Sequence, residues 1–540
     1  MLAPDVFTHV FPCLNEAQLA NLGADLAFVA RTGDLLTLSG ELGAGKTTLA
    51  RSIIHTLMDG AQEEIPSPTF TLVQTYTTPR MGVAHFDLYR LGAPEELDEL
   101  GLDLALTEGI ALVEWPERAE SFLPHDRLEV RIDDPDEGTD TGRDDTAHDD
   151  VNGEYENASR RVTLTGFGAW ASRLHRFIAM RALVYGNGGE SDAAISPRQI
   201  RYLQGDASAR RYGRIYAGTQ CEAILMDAPR QPDGPVIRNG LPYSRIAHLA
   251  EDVRPFVAVA DALRAVGATV PRIRAQDLAN GFLIIDDLGD RVFGAEVLAG
   301  TADQATLWRA ATDVLLALHA APPPRTLPVA GDGEHELPRY DGTAMAIETE
   351  LITDWFWPAV KGAPIDDAAR AQFVALWRDV IAELEKIPPA WVLRDYHSPN
   401  LLWLPEREGV ARVGLIDFQD AMCGPAAYDL VSLLQDARVD VPAELETELL
   451  DYYCNASAGR EGFDRERFAF SYAALGAQRN TKIVGIFARL AKRDNKPGYL
   501  RHIPRLWQYL ERDLAHPALE PLRHWYDAHF PAELRGAISG

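Results

Sequence analysis

The chain has 540 residues, 46% of them hydrophobic, with 52 basic against 80 acidic side chains and a formal charge of −28. That length predicts roughly two to four domain cores, and the acidity makes nucleic acid or an anionic membrane a poor partner for the overall field, so neither is expected to bind directly. Cys13, Cys221, Cys423 and Cys454 form no CxxC pair, Met1-Leu2-Ala3-Pro4-Asp5 lacks a basic region leading into an apolar run, and no stretch of 18 apolar residues occurs. The expectation is a soluble cytoplasmic protein without disulfide framework, zinc site or membrane span.

In chain order, Leu14, Leu19, Leu22, Leu26 and Val29 suit one amphipathic helix within Val6 to Arg31, with Asn15 as a possible cap. The apolar run Leu35-Leu36-Thr37-Leu38 then leads into Ser39-Gly40-Glu41-Leu42-Gly43-Ala44-Gly45-Lys46-Thr47-Thr48, followed by helical periodicity to Leu57. This is a Walker A loop between strand and helix. Its backbone N–H groups, from Gly40, Gly43, Ala44 and Gly45 through Thr48, are placed to cradle nucleotide phosphates. Lys46 reaches the β/γ oxygens and the Thr47 hydroxyl faces Mg²⁺.

Two prolines in Ile65-Pro66-Ser67-Pro68-Thr69-Phe70-Thr71-Leu72-Val73 force an extended entry to a strand. His85-Phe86-Asp87-Leu88-Tyr89-Arg90 and Ile110-Ala111-Leu112-Val113-Glu114-Trp115-Pro116 each end an apolar run in a carboxylate. A P-loop enzyme needs an acid at the carboxyl end of a buried strand, to hold Mg²⁺ directly or through water, and Asp87 and Glu114 both qualify. From Asp133 to Asn157 the chain carries eleven acidic residues and one arginine, too little apolar surface to offset ordering entropy, so a disordered insertion within one domain is predicted near 133–158, with an inter-domain linker over 133–160 as the alternative that composition equally supports. Arg161-Val162-Thr163-Leu164-Thr165 resumes the strand signal, and the domain is expected to run over 1–185, with a Gly-rich linker at 186–194.

From Ile195 small-residue turns separate apolar strands, as in Gln204-Gly205-Asp206-Ala207-Ser208-Ala209-Arg210-Arg211-Tyr212, and helical periodicity follows to the end. A sheet-rich small lobe over about 195–290 and a helical large lobe over about 291–540 are expected. Arg394-Asp395-Tyr396-His397-Ser398-Pro399-Asn400 and Leu415-Ile416-Asp417-Phe418-Gln419-Asp420 follow in the large lobe. Phosphoryl transfer needs a carboxylate to orient the acceptor hydroxyl and take its proton, for which Asp395 is placed. It also needs oxygen ligands for Mg²⁺, for which Asn400 and Asp417 are placed.

Two resemblances follow from these motifs. Gly-Glu-Leu-Gly-Ala-Gly-Lys-Thr-Thr, Ser-Pro-Thr-Phe, His-Phe-Asp-Leu-Tyr-Arg and Val-Glu-Trp-Pro-Glu, in that order, resemble the TsaE family of bacterial ATPases of tRNA threonylcarbamoyladenosine synthesis. That implies ATP and Mg²⁺ at Lys46 and Thr47, a metal or catalytic role for Glu114 with Asp87 beside it, and threonylcarbamoyltransferase (TsaB/TsaD-like) partner subunits. A self-sufficient kinase is the competing idea for this half. The second half resembles aminoglycoside phosphotransferases and, through Ile-Leu-Met-Asp-Ala-Pro, Ala-Ser-Ala-Arg-Arg-Tyr and Ile-Asp-Phe-Gln-Asp-Ala, the cell-wall amino-sugar kinases.

The implied fold class is α/β, an N-terminal P-loop NTPase domain plus a C-terminal two-lobed protein-kinase-like domain. The implied activity there is ATP-dependent phosphorylation of the anomeric hydroxyl of N-acetylmuramate or N-acetylglucosamine, as in peptidoglycan recycling. A different acceptor (an aminoglycoside, choline or another amino alcohol) and a non-catalytic nucleotide-binding module stay open. Leu393 replaces the usual histidine of the catalytic motif, and Met226 stands where the phosphate-binding lysine is expected; Arg211 or Arg210 is the suggested substitute. Trp355, Phe356 and Trp357 beside Glu350 and Asp354 are either a sugar pocket or core, His319 and His397 are expected to be structural, and Tyr428-Asp429-Leu430 to brace the metal loop.

Overall fold

The computed structural model describes residues 5–59, 64–135, 159–186, 198–203 and 210–536. These fall into two compact units, Met1–Pro229 with Ile273–Asp287, and Arg230–Arg272 with Leu288–Gly540. The expected linker after Gly186 and most of the acidic insertion lie outside the described residues. Among those residues no helix is long and apolar enough to cross a membrane.

The first unit holds a seven-stranded sheet in the order β1-β7-β6-β2-β5-β4-β3, formed by β1 (Val6–Leu14), β2 (Leu35–Ser39), β3 (Val73–Thr77), β4 (Gly82–Asp87), β5 (Gly109–Glu114), β6 (Leu128–Asp133) and β7 (Arg160–Phe167). Val6–Leu14 is a strand where a helix was expected. It alternates exposed and half-buried positions and pairs antiparallel with β7, which a period of two satisfies and a period of 3.6 does not. Helix α1 begins only at Glu16 and ends at Val29, capped by Asn15 in a reciprocal box with Gln18. β2, β4, β5 and β6 run parallel, which puts the carboxyl ends of β2, β4 and β5 on one edge. The strands on either side of the acidic stretch, β6 and β7, pair with each other.

The same unit contains a second, five-stranded sheet, from β8 (Arg198–Leu203), β9 (Arg211–Ala217), β10 (Gln220–Asp227), β11 (Ile273–Asp277) and β12 (Phe282–Ile285), in the order β11-β12-β10-β9-β8. This is the sheet expected in the small lobe of a separate domain. Its inward residues Ile200, Ile215, Leu225, Phe282 and Ile284 instead join one apolar cluster with Phe28 of α1 and with Phe177 and Val184 of α3 (Ala169–Tyr185). Gly213 makes the approach possible: a Cβ there would lie 2.9 Å from the Phe28 ring and 2.6 Å from Ile200. Fully buried Asp227 is shared by Arg176 of α3 at 2.5 Å and Arg211 of β9 at 3.1 Å. The expected small lobe is thus divided, since 230–272 belong to the second unit.

The second unit is mainly helical. Its centre is the 29-residue helix Arg465–Arg493, most of whose residues from Phe468 to Ala488 are buried. Two short antiparallel pairs, Pro389–Val392 with Met422–Pro425 and Leu401–Trp403 with Val413–Leu415, frame the loops that carry the expected catalytic and metal residues.

Candidate active sites

In the first unit the Walker loop runs from the end of β2 into α2 (Lys46–Leu57). Gly40 has φ +136°, and a Cβ there would lie 2.2 Å from the Ile132 carbonyl, so only glycine lets the loop pass β6. Gly43 and Gly45 also have positive φ, and Arg160 Nε donates to the Ala44 carbonyl at 3.1 Å, closing the loop from β7. The Lys46 ammonium donates to the carbonyls of Gly40 and Glu41, both at 2.7 Å, and lies 3.7 Å from the centre of the Trp115 ring. Trp115 takes the left-handed conformation, φ +60°, a strain of the kind that gathers at functional sites. Burial pulls the Lys46 pKa below its ordinary value, against the pull of Glu114, Glu117 and Asp87.

Leu38, Glu114 and Asp87 stand side by side across β2, β5 and β4. Thr47 Oγ1 donates to Glu114 Oε2 at 3.0 Å, and Glu114 Oε1 lies 2.9 Å from Nε2 of His85. Asp87 accepts from Ser67 and Thr69 hydroxyls at 2.9 Å each and from the Tyr89 N–H at 3.2 Å. The structure therefore brings Lys46, Thr47, Glu114 and Asp87 together. His85 and Trp115 were not singled out. His85 sits two residues before Asp87, so in a strand it faces the same way, and that spacing is the signal that could have found it.

In the second unit Asn400 links the two expected motifs: its Nδ2 donates to the Asp395 carbonyl at 3.0 Å and lies 3.4 Å from Asp417 Oδ2. With Nδ2 on that carbonyl, Oδ1 is the atom left for a cation. Gln419 Nε2 holds the other Asp417 oxygen at 2.9 Å. Arg394 and Asp417 both have left-handed φ, +71° and +60°. Asp429 was expected to brace the metal loop. It braces the catalytic loop instead, accepting from the backbone N–H of Leu393 at 2.6 Å and Arg394 at 3.0 Å.

Arg394 donates to fully buried Glu348 at 2.5 Å, and Lys482 of the long helix meets the same oxygen at 2.8 Å. Burial raises the Asp395 carboxyl, but His397 when protonated, Lys482, Arg394 and Arg479 outweigh it and hold it below the usual range. Burial also pushes the neighbouring His397 down to about 4, so that ring is neutral near pH 7. His319 is fully satisfied, between the Tyr453 hydroxyl at 2.7 Å and the Trp391 carbonyl at 3.0 Å. Phe356 packs in the core against Trp507 and Phe530, which leaves it no part in a sugar pocket.

Met226 is buried in β10, opposite Leu283 and Tyr212. Arg211, the suggested substitute for the missing lysine, donates to the Val29 carbonyl at 3.0 Å besides pairing with Asp227. Meeting a phosphate would require it to leave those partners.

The oxygen donors at both sites suit magnesium. Among the described residues no three His, Cys, Asp or Glu side chains cluster as a complete metal cage, and Mg²⁺ does not require one, because it keeps waters and phosphate oxygens and takes one or two carboxylates from the protein.

Residues 13–143 match the model of the threonylcarbamoyl adenosine biosynthesis protein TsaE, and residues 199–470 match that of the phosphotransferase enzyme family APH. Over 342 residues the chain is 43% identical to an N-acetylmuramate/N-acetylglucosamine kinase of Caulobacter vibrioides, covering 62% of this chain and 92% of that protein. It is 40% identical over 160 residues to the tRNA threonylcarbamoyladenosine biosynthesis protein TsaE of Streptomyces coelicolor, covering 28% of this chain and 95% of that protein. The chain belongs to both families. A Pseudomonas aeruginosa kinase of the same name as the Caulobacter one is 34% identical over 325 residues, covering 59% of this chain and 85% of that protein. The fold class is therefore α/β, a TsaE-like P-loop fold followed by an aminoglycoside-phosphotransferase, kinase-like fold, and both parts are ATP-using enzymes.

Proposed function

We propose that the phosphotransferase part phosphorylates the anomeric hydroxyl of N-acetylmuramate and N-acetylglucosamine, and that the TsaE part hydrolyses ATP in support of a tRNA threonylcarbamoyltransferase complex. For the kinase, Asp395 accepts the proton of the attacking hydroxyl as its oxygen bonds to the γ-phosphorus of ATP, and the bond to the β-phosphate oxygen breaks to release ADP. Asn400 and Asp417 would hold Mg²⁺, which when bound neutralises phosphate charge. Thr47 and Glu114 would do so in the TsaE part, where Lys46 exchanges its loop carbonyls for phosphate oxygens.

The observation that carries the sugar reading is the 43% identity over 342 residues to the Caulobacter kinase, 92% of whose length is covered, with Asp395, Asn400 and Asp417 inside the residues 199–470 that match the phosphotransferase family. The test is ATP-dependent phosphorylation by the full chain of a panel containing both sugars, an aminoglycoside and choline, with Asp395→Asn as control. Anomeric phosphate formed by the parent chain and lost in the variant supports the reading. Transfer to the aminoglycoside or choline alone overturns it, and nucleotide binding without any transfer would recast the phosphotransferase part as a binding module. For the TsaE part, ATP hydrolysis that partner transferase subunits fail to stimulate would remove the tRNA reading.

A further inference from the structure

The long helix Arg465–Arg493 carries three cations on one face. Arg479, Lys482 and Arg489 are spaced by three and seven residues, so they fall within about 80° of one another around the helix and run over roughly 15 Å of its length. Their states differ. Lys482 is neutralised by Glu348 at 2.8 Å and touches the Tyr428 hydroxyl at 3.3 Å. Arg479 donates to the Gln435 carbonyl at 3.4 Å. Arg489 makes neither a hydrogen bond nor an ion pair among the described residues, and its Nε is buried without a partner. A buried guanidinium donor left unpaired is costly and rare in folded proteins.

Position gives this cation a use. Its guanidinium lies 5.8 Å from the ring centre of half-buried Tyr243. Tyr243 is also within electrostatic reach of Glu348, Lys482 and Arg394, the group that abuts Asp395 through Arg394. Tyr243 is thus a neighbour of Arg489 that also feels the charges of the Glu348 group, and Arg489 follows Lys482 of that group on the same face of the helix. That spacing is seven residues of helix, about 10 Å, of which the arginine side chain reaches back several ångströms. The helix also comes very close to the segment beyond Glu348 here, since a Cβ on Gly485 would lie 2.4 Å from the Leu351 backbone.

We infer that Arg489 is the specificity-determining residue that binds the carboxylate of an acidic amino-sugar acceptor, while the sugar's reacting hydroxyl lies at Asp395. The inference rests on the sugar-kinase reading above and deepens it. A neutral amino sugar makes every contact except this one. A charge-assisted, bidentate contact on a partly buried guanidinium contributes roughly 1.5–3 kcal/mol, which is roughly ten- to a hundredfold in affinity.

The experiment measures kcat and KM of the full chain for N-acetylmuramate and N-acetylglucosamine, in the parent, Arg489→Gln and Arg489→Lys, with a thermal melt of each. The expected result is that Arg489→Gln lowers the ratio of kcat/KM for the acidic sugar to that for the neutral sugar at least tenfold, through KM, and that Arg489→Lys restores part of it. An unchanged ratio in a folded Arg489→Gln protein overturns the inference and leaves the sugar-kinase reading standing. A parent chain that phosphorylates neither sugar overturns that reading and the inference with it.

Discussion

Glu114 is held from both sides, by the Thr47 hydroxyl at 3.0 Å on one carboxylate oxygen and by His85 Nε2 at 2.9 Å on the other. His85 is completely buried, so the ring cannot swing away, and it fixes which carboxylate lone pairs face the Walker threonine. In the metal-holding role proposed for Glu114, a residue that orients the carboxylate in this way contributes about 10–100-fold to metal affinity or activity. His85→Gln should therefore lower ATP hydrolysis by the TsaE part by about that factor and raise the Mg²⁺ concentration needed for half-maximal rate. An unchanged Mg²⁺ requirement would leave His85 a packing residue.

Glu348 is a buried carboxylate of the phosphotransferase part with four side-chain partners among the described residues. It receives Arg394, Lys482, the Tyr340 hydroxyl at 2.6 Å and Gln478 at 3.1 Å. Burial alone would raise its pKa, but Lys482 and Arg394 outweigh that and hold it at about 2. Glu348→Ala leaves two buried cations without their counter-charge, a change that costs about 3–5 kcal/mol. The unfolding midpoint in urea should fall accordingly. Glu348→Gln should lose less, because its one amide oxygen can still accept from Arg394 while its NH2 donates to the Tyr340 hydroxyl oxygen; equal losses in the two variants would show that charge is not what matters there.

Motifs whose meaning lies in local spacing were legible in the sequence. The Walker loop, the strand-end acids Asp87 and Glu114, and the Asp395, Asn400 and Asp417 set all depend on residues a few positions apart on elements whose ends are marked by glycine or proline. Contacts between distant faces were not legible. Phe28 and Gly213 are 185 positions apart, and no periodicity shows that one fits the space the other leaves. Arg211 looked free to meet phosphate because Asp227 and Val29, its partners, are near it only in space. Val6–Leu14 was misread for a different reason: Leu14 extended the helical spacing backward across the Asn15 cap, past a strand whose partner lies some 150 residues on.

The apolar cluster shared by α1, α3 and the five-stranded sheet predicts that the first unit unfolds as one body. In Gly213→Ala the added methyl meets Phe28 and Ile200 well inside contact distance, an overpacking that costs about 1–3 kcal/mol. The variant should lower the melting temperature of nucleotide protection at the Walker site along with that of the sheet. Loss confined to the sheet, with ATP binding at Lys46 melting at the parent temperature, would show two independent bodies.

His319 makes the phosphotransferase part acid-labile in a defined window. Its Nε2–H donates to the Trp391 carbonyl at 3.0 Å, and Nδ1, 2.7 Å from the Tyr453 hydroxyl, accepts from it. The neutral ring thus fills both roles and a second ring proton has no acceptor in place. Burial pushes its pKa down to about 4, below the value near 6.5 of an unfolded chain. Between those two values the unfolded state binds a proton that the folded state does not, so stability falls as pH drops from about 6.5 to about 4 and is flat above that window. His397, also held near 4, acts with the same sign. Trp391 lies in the strand that leads to Asp395, so kinase activity should be lost with stability in this range. Urea unfolding at intervals from pH 7.5 to 4.5 should give a steeper acid loss for the parent than for His319→Gln, which cannot take up the proton. Parallel profiles for the two proteins would place the acid sensitivity on another group.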